Sequence, residues 1–188
     1  TNFEVICLGK KTYHRKTYRS KRIVGKLKVH HYLLSDEALQ AYLPETLPLT
    51  LNHLKQMVEK YPLLYIKPNV GSQGIGIFKL ERKEDGYQLR STRKTRLYKK
   101  LPSVLQFLQS HTKKRLIIQQ GIELERVNDH PYDIRVMVQR KPRSAWVCTG
   151  IFAKVGSPKK IVTNYYQGGR LVTMDKLYAK LGLTEEET

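Results

Sequence analysis

The sequence predicts an α+β fold over its 188 residues, with helices interspersed among strands and hairpins. Three patterns support this class: a glycine-rich segment between two strand-like runs at 71–76, a capped amphipathic helix after Thr50, and alternation with period two over 133–139. Hydrophobic residues make up 40% of the chain, which indicates a globular protein and not a disordered one.

The first half of the chain begins with an apolar strand. It continues with helices that have polar residues at their N-termini. Thr50 is expected to cap a helix, because its hydroxyl can accept a hydrogen bond from the first turn and apolar residues follow on one face. The predicted elements are a strand at 3–8, helices at 26–34, 35–42 and 51–61, and a buried strand at 63–66.

The second half alternates strands with two more helices. Pro102 is expected to open a helix, since proline lacks the backbone N–H that a first helical turn leaves unused. The predicted elements are strands at 75–80, 87–91, 116–118, 133–139 and 146–154, with helices at 102–111 and 174–181.

The glycine-rich segment between the strands at 63–66 and 75–80 carries the clearest chemical signal. Glycines allow several backbone N–H groups to approach a phosphate chain closely, and Lys67 just before them supplies a point charge. A strand follows the segment where a P-loop or a dinucleotide fingerprint requires a helix, so a glycine hairpin is predicted. Two interpretations remain open: a nucleotide-phosphate clamp, or an ordinary glycine-rich turn.

The net charge of +19 indicates anionic partners. Lysines and arginines concentrate at 10–28 and 90–100. No RNP motif, recognition helix or zinc finger accompanies them. The basic surface therefore predicts either contacts with a polyanion, including a nucleic acid, or only a solvated face.

Cys7 and Cys148 lie in apolar strand-like runs without a CxxC spacing, and they are expected to be buried, reduced thiols of a cytoplasmic protein and not zinc ligands. No apolar stretch reaches the roughly 20 residues of a membrane span. The sequence thus predicts no membrane partner.

Two further features bear on chemistry. Alternation places Asp133 and Arg135 on one face of their strand, where they form a structural ion pair or line a cleft that grips a carboxylate or phosphate. The glycine pair after Asn164 indicates a tight turn that presents Asn164 and Arg170, or a plain turn.

In this order the motifs resemble the ATP-grasp superfamily, and within it the YheC/YheD family of endospore coat-associated proteins. The resemblance runs from about Gly25 to Leu183. Lys26 stands in a segment similar to the family's Asn-Lys-Trp helix start, and 42–46 matches its Leu-Pro-Glu-Thr turn. Asp133 with Arg135, and Asn164 with the glycine pair, match elements shared with RimK-type glutamate ligases.

The resemblance implies two α/β lobes with ATP between them. Residues 26–188 would form the ATP-grasp domain, with about 60–118 as the ATP-lid lobe and 119–188 as part of the second lobe. Residues 1–25 would end a preceding region. The strands that carry the metal ligands would be missing at the C-terminus.

The resemblance also implies a role for each candidate residue. The hinge between the lobes would bind the edge of the adenine. At this hinge Gln120 occupies the position where the family usually has an acidic residue. The residues expected to contact ATP are Lys26, Lys67, Gly71, Ser72, Gln73, Gly74, Gly76, Gln119, Gln120 and Ile122. Those expected to face the γ-phosphate and the acyl substrate are Arg135, Lys154 and Asn164.

The chemistry implied is ATP-dependent joining of a carboxylate to an amine through an acyl phosphate. Mg²⁺ would assist, held by ligands beyond the end of this chain, so the chain is interpreted as a fragment that does not turn over. A cytoplasmic protein, associated with the endospore coat, is the implied setting. The alternatives are a non-catalytic structural coat component and a basic nucleic-acid-binding module.

Overall fold

The computed structural model describes residues 24–141, 143–158, 160–163 and 168–183, which form helices and antiparallel strands and confirm the α+β class. The described helices are α1 (Lys26–Leu34), α2 (Glu37–Gln40), α3 (Leu51–Lys60), α4 (Leu101–His111) and α5 (Met174–Leu181). The described strands are β1 (Thr46–Pro48), β2 (Leu63–Pro68), β3 (Phe78–Lys83), β4 (Gly86–Arg90), β5 (Thr95–Tyr98), β6 (Leu116–Gln120), β7 (Arg126–Val127), β8 (His130–Gln139), β9 (Val147–Val155) and β10 (Arg170–Val172).

The strands form two sheets. The first has six strands in the order β1-β6-β2-β3-β4-β5, and the second has four in the order β10-β9-β8-β7. Each pairing within the two sheets is antiparallel. Strands β2 and β3 form the predicted glycine hairpin, with Leu64 opposite Leu80 and Ile66 opposite Phe78.

The larger core lies where α3 and α4 cover one face of the six-stranded sheet. Leu64 and Ile66 of β2 are fully buried there, whereas Tyr65 and Lys67 point to the opposite face and are only half-buried. The strand predicted at 63–66 is present, but it is buried on one side only, because only one face of β2 meets the core. This core comprises Leu54, Met57, Val58, Leu64, Ile66, Phe78, Leu80, Leu89, Leu101, Val104, Leu108 and Ile118.

The four-stranded sheet has a smaller core. Val127, Ala153 and Leu177 meet where α5 packs against β7 and β9. Farther along β8, Ile134 remains 51% exposed. Cys148 on β9 is exposed, so the expectation of a buried thiol is wrong there, because among the described elements α5 covers only one end of this sheet. Cys7 lies outside the described residues.

The predicted helix starts are confirmed by their caps. Thr50 Oγ1 accepts a hydrogen bond from the backbone N–H of His53 at 3.1 Å, and Asp36 caps α2 through the backbone N–H of Ala38 at 3.0 Å. Pro102 lies in the first turn of α4, as expected. The strand predicted at 3–8 lies outside the described residues.

Four short strands, β1, β5, β7 and β10, were not predicted. The first of them contains Pro48, which is tolerated because β1 lies at the edge of its sheet and pairs with β6 alone. Among the helices that the structure describes, none is long and apolar enough to cross a bilayer.

Candidate functional site

The glycine segment forms the connection between β2 and β3. Gly74 and Gly76 both have φ near 72°, in the left-handed region that favours glycine. A Cβ on Gly76 would lie 3.2 Å from Cγ of Pro68, so the loop passes close to the end of β2. Ser72 and Gln73 are exposed, and Gln73 has a φ of 60°. The loop thus presents backbone and small polar groups to the surface.

The N-terminus of α1 is bound to this loop. The backbone N–H of Lys26 donates to the carbonyl of Asn69 at 2.9 Å, and Leu27 N–H donates to Asn69 Oδ1 at 2.9 Å. Lys26 Nζ donates to the carbonyl oxygens of Pro68 at 2.9 Å and Gly71 at 3.0 Å. Burial lowers the pKa of Lys26. Lys26 therefore fixes the start of the glycine loop.

Lys67 is a half-buried cation with a neutral partner. Its Nζ donates to Gln119 Oε1 at 2.5 Å. Burial, followed by the nearby charge of Lys26, lowers the pKa of Lys67 to about 8. Among the described residues no carboxylate forms an ion pair with Lys67. An ammonium carries three donors, so Lys67 has donors left for an anion.

Strand β1 orients the partner of Lys67. Gln119 Nε2 donates to Thr46 Oγ1 at 2.6 Å, and Thr46 Oγ1 donates to the carbonyl of Pro44 at 2.9 Å. This chain of hydrogen bonds directs the amide oxygen of Gln119 toward Lys67. Thr46 is buried and was not among the predicted site residues, since only the pairing of β1 with β6 brings it to Gln119.

The segment after β6 is held tightly at its first residues and is open at Ile122. Gln120 exchanges two hydrogen bonds with Glu45: its N–H donates to the Glu45 carbonyl at 2.8 Å, and its Oε1 accepts from the Glu45 N–H at 3.2 Å. Gly121 N–H donates to the carbonyl of Leu63 at 2.8 Å. Within the described chain, the backbone of Ile122 bonds to no other backbone group. Relative to the described residues, the N–H and carbonyl of Ile122 are therefore available to a ligand.

A cavity of about 250 Å³ brings the sheet and the segment after β9 together. Of the predicted residues it contains Lys67, Gln119, Gln120 and Ile122, whereas the glycines at 71–76 do not line it. Its full lining is Tyr65, Lys67, Ile77, Gln119, Gln120, Ile122, Leu124, Ile161, Val162 and Thr163. The walls are mostly apolar and the cation lies among them, an arrangement typical of sites for small molecules with a polar end.

A polar connection runs from this cavity into the four-stranded sheet. Asp133 Oδ1 forms an ion pair with Lys154 Nζ at 2.8 Å, and Asp133 Oδ2 accepts a hydrogen bond from the hydroxyl of Thr163. Thr163 lines the cavity, so Lys154 is joined to the Lys67 site through one carboxylate and one hydroxyl. No local sequence pattern indicates Thr163, because its contact with Asp133 is formed only in the tertiary structure.

Arg135 lies outside the cavity that contains Lys67. It lies on the same face of β8 as Asp133, as alternation predicted, but it is exposed and does not line the cavity. The carboxylate of Asp133 takes Lys154 as its partner and not Arg135. Asn164 lies outside the described residues. The carbonyl of Gly168, whose φ is 89°, accepts a hydrogen bond from Ser157 Oγ at 3.0 Å, whereas residues 164–167 of the predicted turn lie outside the described residues.

The described residues contain no group of three His, Cys, Asp or Glu side chains that can hold a metal ion. Magnesium is normally held by carboxylates and substrate phosphates. We therefore assign no step to a magnesium ion.

Comparison with known proteins adds an independent finding. The family of YheC/D-like ATP-grasp domains matches residues 15–188. The endospore coat-associated protein YheD of Bacillus subtilis (strain 168) is 26% identical over 166 residues, which cover 85% of this chain and 37% of that protein. The endospore coat-associated protein YheC of the same strain is 18% identical over 173 residues, 89% of this chain and 48% of that protein. The chain thus spans less than half of each relative.

Proposed function

The chain belongs to the YheC/D-like ATP-grasp family, and on that basis we propose that it binds ATP in the cavity that contains Lys67. The observation that carries the proposal is the half-buried ammonium of Lys67. It contacts the neutral Gln119, and within the described chain no carboxylate is paired with it. A cation held in this way is stabilised when a phosphate supplies the missing negative charge.

The glycine loop would complete the phosphate contacts. Lys26 holds its start through the carbonyls of Pro68 and Gly71, which leaves the backbone N–H groups beyond them for the phosphate chain. The residues proposed to cover the phosphates are Gly71, Ser72, Gln73, Gly74 and Gly76. Lys26 would add its positive charge near Lys67, whose pKa it helps to lower.

The adenine would occupy the apolar part of the cavity. Ile77, Leu124 and Ile161 supply flat apolar contact there. The free backbone groups of Ile122 can pair with the edge of the base, whereas the amide oxygen of Gln120 is already bound to Glu45. We therefore assign the polar adenine contacts to the backbone at Ile122.

For the whole protein we propose ATP-dependent carboxylate–amine ligase chemistry. Bound ATP would supply the γ-phosphoryl group that activates the carboxylate. Lys154, held by Asp133 beside Thr163 of the cavity, would face the γ-phosphate and the acyl substrate and donate hydrogen bonds to them. Arg135 on the same strand face and Asn164 would orient the substrates. The relatives' description as endospore coat-associated suggests a place in the endospore coat for this protein.

Calorimetric titration with a non-hydrolysable ATP analogue and magnesium tests the proposal. Lys67→Ala should weaken binding by about tenfold or more, since a charge-assisted hydrogen bond contributes about 1.5–3 kcal/mol. Lys55→Ala is the matched control, because Lys55 is an exposed lysine on α3 that does not line the cavity. Equal affinity of the two variants for the analogue would contradict the assignment.

A further inference from the structure

We infer that a second cavity, on the helix-covered side of the six-stranded sheet, binds a small organic anion with a planar apolar body. This cavity encloses about 410 Å³ between the β4–β5 turn and the C-terminal end of α4. Its volume suits a ligand of one or two fused rings. Its lining comprises Phe78, Leu89, Ser91, Thr92, Arg93, Lys94, Arg96, Phe107 and His111.

Aromatic rings form its wall. Phe107 and His111, one turn apart on α4, have ring centroids 4.3 Å apart. Phe78 of β3 meets Phe107 edge to face, with centroids 6.2 Å apart and an interplanar angle of 88°. Such edge-to-face and tilted arrangements are favourable for aromatic rings and give a firm apolar surface. The wall is thus preformed for a flat apolar group.

Cations form its mouth, and the β4–β5 turn holds them in place. Ser91 Oγ accepts hydrogen bonds from the N–H groups of Arg93 at 3.3 Å and Lys94 at 3.0 Å. Ser91 N–H donates to the carbonyl of Lys94 at 2.8 Å, which closes the turn. Arg93 and Lys94 therefore project from a tight turn and not from a long loop.

Arg96 contributes the third cation. It lies opposite Leu89 in the β4–β5 register, so its side chain emerges on the helix-covered face. Its guanidinium carbon lies 4.8 Å from the centre of the Phe107 ring. This cation–π contact orients the guanidinium beside the aromatic wall and leaves its in-plane N–H groups for an anion.

Among the residues that the structure describes, no carboxylate is paired with the cations at this mouth. The sequence contains no Asp or Glu between Asp85 and Glu123, the stretch that supplies most of the lining. In the part of the chain that the structure describes, Arg93, Lys94 and Arg96 form no ion pair. Three cations around an apolar cavity without an acid are complementary to a ligand with a negative head and an apolar body.

The cavity is separate from the nucleotide site. Phe78, Leu89 and Arg96 lie on the helix-covered face, whereas Tyr65 and Lys67 lie on the opposite face of the same sheet. The inference therefore does not depend on ATP binding.

Three probes separate the chemical requirements of the cavity: 1-naphthyl phosphate, neutral 1-naphthol and inorganic phosphate. The titrations use the 188-residue chain carrying Lys67→Ala, so that binding of the probes at the Lys67 site is minimised. We expect the affinity for 1-naphthyl phosphate to be at least about tenfold higher than that for either other probe. Only 1-naphthyl phosphate both pairs with the cations and fills the apolar cavity. Similar binding of inorganic phosphate or of 1-naphthol would overturn the inference.

Substitutions locate the binding. In the Lys67→Ala chain, a further Arg96→Ala or Arg93→Ala substitution should lower the affinity for 1-naphthyl phosphate by about tenfold. This is the effect expected for the loss of one charge-assisted contact. Lys113→Ala is the matched control, since Lys113 lies in the same acid-free stretch but does not line the cavity. Circular dichroism melting checks that each variant is folded.

Competition gives the last test. In the chain with Lys67 intact, a saturating non-hydrolysable ATP analogue should leave the binding of 1-naphthyl phosphate unchanged. Displacement by the analogue, or equal losses in the Arg96→Ala and Lys113→Ala variants, would overturn the inference. Failure of the analogue to bind at all would count against the proposed nucleotide site and not against this cavity.

Discussion

The two sheets differ in how completely their apolar faces are covered. Helices α3 and α4 bury one face of the six-stranded sheet, where Leu64 and Ile66 are almost inaccessible. In the four-stranded sheet, α5 buries Ala153 of β9. On the same face of the sheet, Ile134 and Val136 of β8 remain about half exposed. The first sheet therefore has a large core of its own, and the second has a small one.

The two candidate lysines differ in the same way. Lys67 on the six-stranded sheet is held by a neutral amide, whereas Lys154 on the four-stranded sheet is paired with Asp133 at 2.8 Å. Keeping a half-buried cation without a counter-charge costs stability, which a large core can offset. Under the proposed function a bound phosphate would supply the counter-charge for Lys67, whereas Asp133 already supplies one for Lys154.

The largest expected difference is in stability between core variants of the two sheets. Leu64→Ala should lower the free energy of unfolding by about 2–5 kcal/mol, because it removes a fully buried side chain and leaves a cavity. Ile134→Ala should lower it by less than about 1 kcal/mol, because half of that side chain is already in water. Denaturant unfolding of the two variants measures both values, and similar losses would contradict the comparison.

A smaller loss is expected at the junction after β6. Gly121→Ala should destabilise the protein by about 1–3 kcal/mol, since an added methyl group overpacks a filled space. The Cβ would lie 2.2 Å from Cγ of Leu63 and 2.7 Å from its carbonyl oxygen. Gly150→Ala is the matched control, because a Cβ there meets nothing within 4 Å. Thermal unfolding distinguishes them, and equal melting temperatures would show that the junction can relax.

Much of the fold was predictable because its signals are local. The helix at 26–34, the Thr50 cap and the glycine hairpin each depend on neighbouring residues, and the structure contains all three. Short edge strands such as β1 and β5 have too few residues to show a period, so they were missed.

The site was predictable only in part. Lys67 was proposed from its position before the glycine segment, and Gln119 and Ile122 through the family resemblance; all three line one cavity. Thr163 was missed because its contact with Asp133 joins residues 30 positions apart. The exposure of Cys148 was also missed, because burial depends on which elements cover a strand and not on the strand's own composition.

The low pKa of Lys67 makes stability and nucleotide affinity change with pH in opposite directions. Between pH 8 and 10.5 the folded state has lost this proton while the unfolded state retains it, so stability rises with pH in that window. Affinity for a phosphate should instead fall above pH 8, because the neutral amine no longer attracts the anion.

The most direct measurement of the central claim is the affinity for the non-hydrolysable ATP analogue on either side of pH 8, in the wild type and in Lys67→Arg. Arginine keeps its charge in both conditions. We predict that the wild-type affinity falls as pH rises through about 8, while the affinity of Lys67→Arg stays constant. A wild-type affinity that does not change with pH, or an equal fall in both proteins, would contradict the role of Lys67 as the phosphate-binding cation.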